Sequence, residues 1–248
     1  MTARVLDGLR LAVTTLTVLP LRAGRVDRSA AAVAMTVAPA VGALLGLALA
    51  GLHEGLRAAG SPALVAAGVT VGAGALLTRG LHLDGLADTV DALGSYRSGA
   101  AALEIMKKPD IGPFGVAALA VTFLIQAAAV TEAGPWAIVA AWATGRLALT
   151  VACRRGVPAA RPDGLGAMVA STVPLAALLV AAAAVAGLAA AAVPGRPWQG
   201  PAAVLIALFA VVLLVRHTVR RFGGVTGDVL GAAVETATTV VLVVVTLG

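Results

Sequence analysis

The chain has 248 residues, of which 60% are hydrophobic and only 12% are charged, and its net charge is +6. A water-soluble domain cannot bury so large an apolar share, so the composition excludes an ordinary soluble protein. The apolar runs are continuous rather than alternating, which disfavours a membrane β-barrel. No pattern of interleaved aromatic and basic residues indicates nucleic-acid binding, and the single cysteine, Cys153, allows no internal disulfide.

The apolar segments predict a membrane protein built from helices. Residues 4–20 are short and carry three charges, so we predict a helix in the membrane interface or partly inserted, with an eighth span as the alternative. Seven runs near the roughly 20 residues of a membrane-spanning helix follow. They lie near 30–52, 61–79, 114–133, 136–153, 169–193, 199–215 and 232–247. We therefore predict an all-α, polytopic membrane bundle forming one domain over residues 1–248.

The distribution of Lys and Arg predicts the orientation. With seven spans and residues 1–29 on one side, fifteen basic residues fall on that side, and only Arg57 and Arg196 fall on the other. Loops rich in Lys and Arg mark the cytoplasmic side. The segments 79–113 and 216–235 are then predicted to face the cytoplasm, in a multi-pass protein of the plasma membrane.

The stretch "HLDGLADTVDALG" gathers three carboxylates with spacings of four and three residues. On an α-helix this spacing places Asp84, Asp88 and Asp91 on one face, where like charges destabilise the helix unless a cation offsets them. Carboxylates suit Mg²⁺, which takes one or two of them together with phosphate oxygens. The pattern indicates metal-dependent phosphoryl transfer. The alternative is a set of solvated acids, with Asp84 capping the helix.

A second acidic motif, "GGVTGDVLGAAVE", lies near the C-terminus. Asp228 and Glu235 are seven residues apart and so share one helical face. An ionisable group at the mouth of a span, such as Glu235, is a candidate functional residue. The glycines before the helix, Gly227 among them, would expose backbone N–H groups to phosphate. A flexible turn with Asp228 as the cap is the alternative.

Four further polar residues are candidates for substrate contacts. In "LEIMKKPDIGPFG", Lys107 and Lys108 would bind phosphate as point charges, or would only flank a span on its positive side. Arg146 lies inside a span and must pair with a carboxylate or a phosphate. His82 is a candidate base or a neighbour of the helix cap. Three scattered histidines and one cysteine do not predict a zinc site.

The motifs "GLHLDGLADTVDALG", "LEIMKKPDIGPFG" and "GGVTGDVLGAAVE" together resemble the cobalamin synthases, the adenosylcobinamide-GDP ribazoletransferases. "LTVLP" near the N-terminus and the 39–42 region extend the resemblance over nearly the whole chain. It implies a Mg²⁺-dependent polytopic enzyme that joins adenosylcobinamide-GDP to α-ribazole or its 5′-phosphate. GMP would leave, and adenosylcobalamin or its 5′-phosphate would form.

The resemblance also implies roles for the residues of the three motifs. The implied catalytic metal ligands are Asp84, Asp88, Asp91 and Asp228. The implied substrate-binding residues are His82, Lys107, Lys108, Arg146, Gly227 and Glu235, the last also a candidate ligand or orienting group.

Two positions depart from the family pattern. Val18 follows Thr17 where the family usually has Arg, and Asp110 stands where the family often has a second basic residue. The second departure weakens the phosphate assignment of that loop.

Three other classes of membrane protein are alternatives. CDP-alcohol phosphotransferases have Ala-Arg soon after the first Asp-Gly, whereas Leu86-Ala87-Asp88 stands here. Membrane prenyltransferases carry two aspartate clusters on separate helices, as this chain does. A cation-coupled transporter would carry acids near the midplane of repeated halves, and this sequence has no internal repeat. The sequence leaves the oligomeric state open and allows a homo-oligomer.

Overall fold

The computed structural model describes residues 2–22 and 24–247, and the regular elements of these residues are eleven α-helices. In chain order the helices are α1 Thr2–Leu16, α2 Arg28–Ala58, α3 Ala63–Leu77, α4 Leu81–Gly94, α5 Ala100–Ile105, α6 Pro113–Glu132, α7 Pro135–Ala152, α8 Gly164–Val169, α9 Leu175–Ala189, α10 Gln199–Phe222 and α11 Gly227–Val245. The predicted all-α membrane bundle is confirmed.

All seven predicted apolar runs form helices, but not all of them are long enough to cross a bilayer. By length and composition, α2, α6, α7, α10 and α11 qualify, and the bent pair of α3 and α4 would make a sixth. Helices α3 and α9 have 15 residues each, which gives about 22 Å of helix against a hydrocarbon core of about 30 Å. Among the described residues, five helices, or six with the bent pair, are therefore long and apolar enough by themselves to cross, whereas α3 and α9, which the prediction counts as spans, are shorter.

Helix α7 is the centre of the bundle. Every residue from Ala137 to Ala152 is buried, because α2 and α11 pack along it. Gly46 of α2 permits one of these contacts, since a Cβ there would lie 2.7 Å from the Cα of Val139. A stripe of small residues thus lets the helix backbones approach closely, as is common in membrane bundles.

The chain turns by 90° between α3 and α4. Arg79 (φ 56°) and Gly80 (φ 66°) both adopt the left-handed conformation, which ends α3 and redirects the backbone. The Arg79 guanidinium donates to the Thr14 carbonyl at 2.9 Å and so joins the turn to α1. Helix α4 therefore lies across one end of the bundle, outside the five long spans.

Helix α1 has the properties predicted for an interfacial helix. Its 15 residues are too few to cross a bilayer. Ala12 and Leu16 are buried against the bundle, whereas Val5, Leu6 and Leu9 are exposed. The structure does not support the alternative of an eighth span.

Candidate active site

The site begins where α4 crosses α11 at two glycines. A Cβ on Gly85 of α4 would lie 2.7 Å from the carbonyl oxygen of Asp228, and one on Gly231 of α11 would lie 2.9 Å from the carbonyl oxygen of His82. Only residues without a side chain allow backbones to approach this closely. The crossing brings the acidic face of α4 beside Asp228 at the start of α11.

The crossing gathers carboxylates from two motifs that are well separated in sequence. Asp84 is exposed, while Asp88 and Asp228 are partly buried. Burial, and then the charges of Asp228, Asp84 and Asp91, raise the pKa of Asp88 to about 7. Among the described residues, the one ion pair joins Lys107 to Glu104, so none of these acids has such a partner. The crowding of like charges fits the predicted need for a cation.

Asp91 lies on the same helix but has a different environment. Its side chain is buried, and its two oxygens accept hydrogen bonds from the backbone N–H groups of Gly112 at 2.7 Å and Gly115 at 2.9 Å. These contacts fix the start of α6 against α4. The prediction that Asp91 is a metal ligand stays a prediction, since each oxygen accepts one of these bonds and keeps a further lone pair.

The residues allow a metal ion only with help from a substrate. Within residues 2–22 and 24–247, no three His, Cys, Asp or Glu side chains lie close enough together to hold an ion by themselves. Mg²⁺ usually binds one or two carboxylates, with phosphate oxygens and water completing its octahedron. Asp84 and Asp228, which line one cavity, fit that mode as the two carboxylates, and Asp88 lies one helical turn further along α4.

A cavity of about 280 Å³ opens beside Asp84 and Asp228, and we call it the apolar cavity. The side chains that make it apolar come from helices α1, α2, α7 and α11: Leu16, Met35, Leu149 and Leu230. His82, Arg161 and Gly227 also line it. The structure thus places His82 and Gly227, two of the predicted substrate-binding residues, in the same lining as Asp84 and Asp228.

A second cavity, of about 430 Å³, opens beside Asp88 and Asp91, and we call it the polar cavity. Arg97, Lys108 and Asp110 line it, together with Phe114 at the start of α6. Of the two predicted lysines, Lys108 lines this cavity, whereas the Lys107 ammonium is paired with Glu104 at 2.7 Å. The two lysines therefore have different surroundings.

Arg146 and Glu235 line neither of these cavities. They line a separate space of about 20 Å³ inside the bundle, together with Gln126. The Gln126 amide donates to Glu235 Oε2 at 2.9 Å, and Arg146 is only 3% exposed. This placement does not bring the predicted phosphate-binding Arg146 to the acids of α4, and it favours a structural role for both charges.

Neither interpretation of the sequence predicts how the N-terminus of α11 is stabilised. Thr226, rather than Asp228, caps the helix: its hydroxyl accepts from the Val229 N–H at 3.2 Å and donates to Asp228 Oδ2 at 3.1 Å. Gly80, without a side-chain bond, holds the corresponding position of α4, so Asp84 is not a cap either. The structure leaves both carboxylates available for another role.

Sequence reasoning missed Arg161 and Arg97 as site residues. In the sequence, both residues contribute only to the distribution of Lys and Arg that predicts the orientation in the membrane. Arg161 follows α7 and lines the apolar cavity, where its charge lowers the pKa of Asp88, although burial and the neighbouring acids outweigh it. The Arg97 carbonyl accepts from Arg221 of α10 at 2.6 Å, which holds its loop at the rim of the polar cavity. No local motif marks either residue.

The fold and the site define a polytopic membrane protein with a carboxylate cluster at one end of its helix bundle. The profile of one protein family, described as cobalamin-5-phosphate synthase, matches residues 8–246. The chain belongs to this family.

Curated relatives agree with the family assignment over nearly the whole chain. A protein named adenosylcobinamide-GDP ribazoletransferase from a Nocardioides species is 44% identical, with 93% of this chain and 94% of the relative covered. Proteins of the same name from Frankia casuarinae and Corynebacterium efficiens are 42% and 40% identical, with 96% of this chain covered in each and 94% and 90% of the relatives. No solved structure matches the chain.

Proposed function

We propose that this protein is a Mg²⁺-dependent adenosylcobinamide-GDP ribazoletransferase. The single observation that carries the proposal is the crossing of α4 and α11, which places Asp84 and Asp228 in the lining of one cavity, with Asp88 one helical turn along α4. Relatives across the full length bear this name. A diphosphate substrate needs such a combination of carboxylates and nearby basic groups.

The reaction transfers the phosphoryl group that carries the cobinamide from GMP to an alcohol. A free ribose hydroxyl of the acceptor, other than the 5′ oxygen that carries the phosphate in α-ribazole 5′-phosphate, forms a bond to the phosphorus on the cobinamide side of the diphosphate. The bond between that phosphorus and the bridging oxygen breaks, and GMP leaves with the electron pair. A carboxylate of the site takes the hydroxyl proton.

The side chains of the site have different roles in this reaction. Asp84, Asp88 and Asp228 would hold Mg²⁺, which when bound neutralises charge on the diphosphate oxygens. Arg161 and Lys108, which line the two cavities, add positive charge beside the transferred group. Asp91 fixes the Gly112–Gly115 turn and so positions the wall of the polar cavity.

The orientation is also part of the proposal: the site faces the cytoplasm in the plasma membrane. The segments that carry the acids are those assigned to the cytoplasmic side by the excess of fifteen Lys and Arg residues over two. The exposed Trp136 and Trp198 lie at the starts of α7 and α10, where the chain enters the membrane from the other side, as interfacial aromatic residues often do.

The test is GMP release by the purified, lipid-supplemented protein with adenosylcobinamide-GDP, α-ribazole and Mg²⁺. We expect GMP and cobalamin to form together, and we expect both products to be lost with EDTA and in Asp84→Asn. Asp163→Asn is the control, because Asp163 is an exposed acid that lines neither cavity. A folded wild-type protein that releases no GMP would refute the assignment.

A further inference from the structure

The acidic face of α4 separates two cavities whose linings differ in chemistry. Asp84 lines the apolar cavity, and Asp88 and Asp91 line the polar cavity. Resting on the proposed function, we propose that the apolar cavity holds the heteroaromatic base of α-ribazole and the polar cavity holds the nucleotide half of the diphosphate donor. The two substrates would then approach the acids from opposite sides.

The lining of the apolar cavity suits an uncharged aromatic base. Leu16, Met35, Leu149 and Leu230 are each buried and form its walls. The base of α-ribazole is a dimethylated bicycle without charge or N–H donors, so transfer from water to these walls is favourable. Arg161 is the one cation among the described residues of this lining, whereas Arg97 and Lys108 line the polar cavity, so a charged nucleotide is better matched there.

His82 lines this cavity without exposing a ring nitrogen to it. Both of its ring nitrogens are buried, with almost no accessible surface and no hydrogen-bond partner among the described residues. A ligand in the cavity therefore meets no donor from this ring, so this part of the wall suits an uncharged base.

The polar cavity offers the groups that a guanine nucleotide requires. Arg97 and Lys108 provide cations for the phosphate. Phe114, with 51% of its surface exposed, provides an aromatic face on which a base can stack. The Asp110 carboxylate in the same wall is an acceptor for the N–H donors of guanine. The acidic residue that departs from the family pattern thereby acquires a role in recognition.

The arrangement also suits the geometry of the transfer. Asp84 and Asp88 are one helical turn apart, about 6 Å along the axis of α4. A phosphorus held between them would have the attacking oxygen on the side of the apolar cavity and the leaving oxygen on the side of the polar cavity. Phosphoryl transfer requires these two oxygens to be roughly in line.

Equilibrium binding to the full-length protein in detergent tests this division without relying on turnover. The probes are α-ribazole and GMP, titrated separately by calorimetry at fixed Mg²⁺. Leu149→Ala is matched by Leu147→Ala, a buried leucine of the same helix outside the cavity. Lys108→Ala is matched by Arg220→Ala, an exposed basic residue that lines neither cavity.

The proposal predicts a crossed pattern of affinities. Leu149→Ala should raise the Kd for α-ribazole about tenfold and leave that for GMP within about twofold. Lys108→Ala should raise the Kd for GMP about fivefold and leave that for α-ribazole unchanged. Both controls should bind like the wild type. If Leu149→Ala does not fold, Leu149→Val is expected to show the same preference with a smaller shift.

Other results would overturn either the division of the substrates between the two cavities or the reaction itself. The reversed pattern, equal weakening of both ligands by either variant, or no binding of either ligand by the wild type overturns the division. The crossed pattern without GMP release by the wild type supports the division and refutes the ribazoletransfer reaction. GMP release by the wild type without the crossed pattern overturns the division alone.

Discussion

Gly231 of α11 lies so close to Gly85 of α4 that a Cβ on Gly231 would be 3.1 Å from the Cα of Gly85. This pair of glycines sets the distance between the two helices that carry the acids. The close approach of the backbones, rather than any salt bridge, therefore brings Asp228 to the acidic face of α4.

The first prediction concerns this crossing. Gly85→Ala should lower both activity and stability, because its Cβ would lie 2.7 Å from a backbone oxygen that cannot move alone. Overpacking of this kind typically costs about 1–3 kcal/mol. Thermal unfolding in detergent and GMP release measure the two effects. Gly72→Ala on α3 is the control, since a Cβ there meets no atom within 4 Å; equal behaviour of the two variants would contradict the prediction.

The second prediction separates Asp91 from the other acids. Asp91→Asn keeps one carbonyl oxygen but loses the second acceptor, so one of the two N–H groups at Gly112 and Gly115 loses its bond. We expect a loss of about 1–3 kcal/mol in the free energy of unfolding. The Mg²⁺ concentration for half-maximal activity should stay unchanged. A large rise in that concentration at unchanged stability would return Asp91 to the metal site.

The third prediction concerns the metal ligand contributed by α11. Asp228→Asn removes a charge from the cluster while Thr226 still caps the helix through the Val229 N–H. The Mg²⁺ concentration for half-maximal activity should rise by about 10–100-fold, and the melting temperature should change little. Asp163→Asn should leave both quantities as they are. Normal Mg²⁺ dependence of Asp228→Asn would exclude this residue from metal binding.

The fourth prediction concerns the charges inside the bundle. Arg146→Leu removes the positive charge that lines the same small space as the Glu235 carboxylate, and leaving a buried charge uncompensated typically costs about 3–5 kcal/mol. Replacing both residues by Leu should recover at least about half of that loss, because no buried charge remains. Unfolding of the two variants in detergent measures the difference. A double variant as unstable as Arg146→Leu would argue against any electrostatic compensation between the two charges.

Much of the fold follows from local pattern. Long apolar runs must form helices in lipid, since every backbone polar group needs a partner within its own segment. The spacing of the acids predicted a helix over residues 82–94, and α4 covers it. The 61–79 run forms a helix of only 15 residues, because it ends at a left-handed turn that hydropathy does not reveal.

The site was predictable only in part. Asp84, Asp88 and Asp228 could be named because their motifs resemble a family, and His82, Gly227 and Lys108 line the cavities beside them. Arg97 and Arg161 could not be named, because each is a single basic residue in a loop. Their position depends on contacts with residues far along the chain.

The sequence by itself determined the membrane class, the helix-forming segments and the residue types available for chemistry. Those properties depend on composition and on spacing along one helix, which the backbone fixes locally. Only the tertiary structure decided that Asp91 holds a turn, that Lys107 pairs with Glu104, and that Arg146 lies inside the bundle. Such choices depend on which helix faces meet, and small residues such as Gly85 and Gly231 set how closely those faces approach.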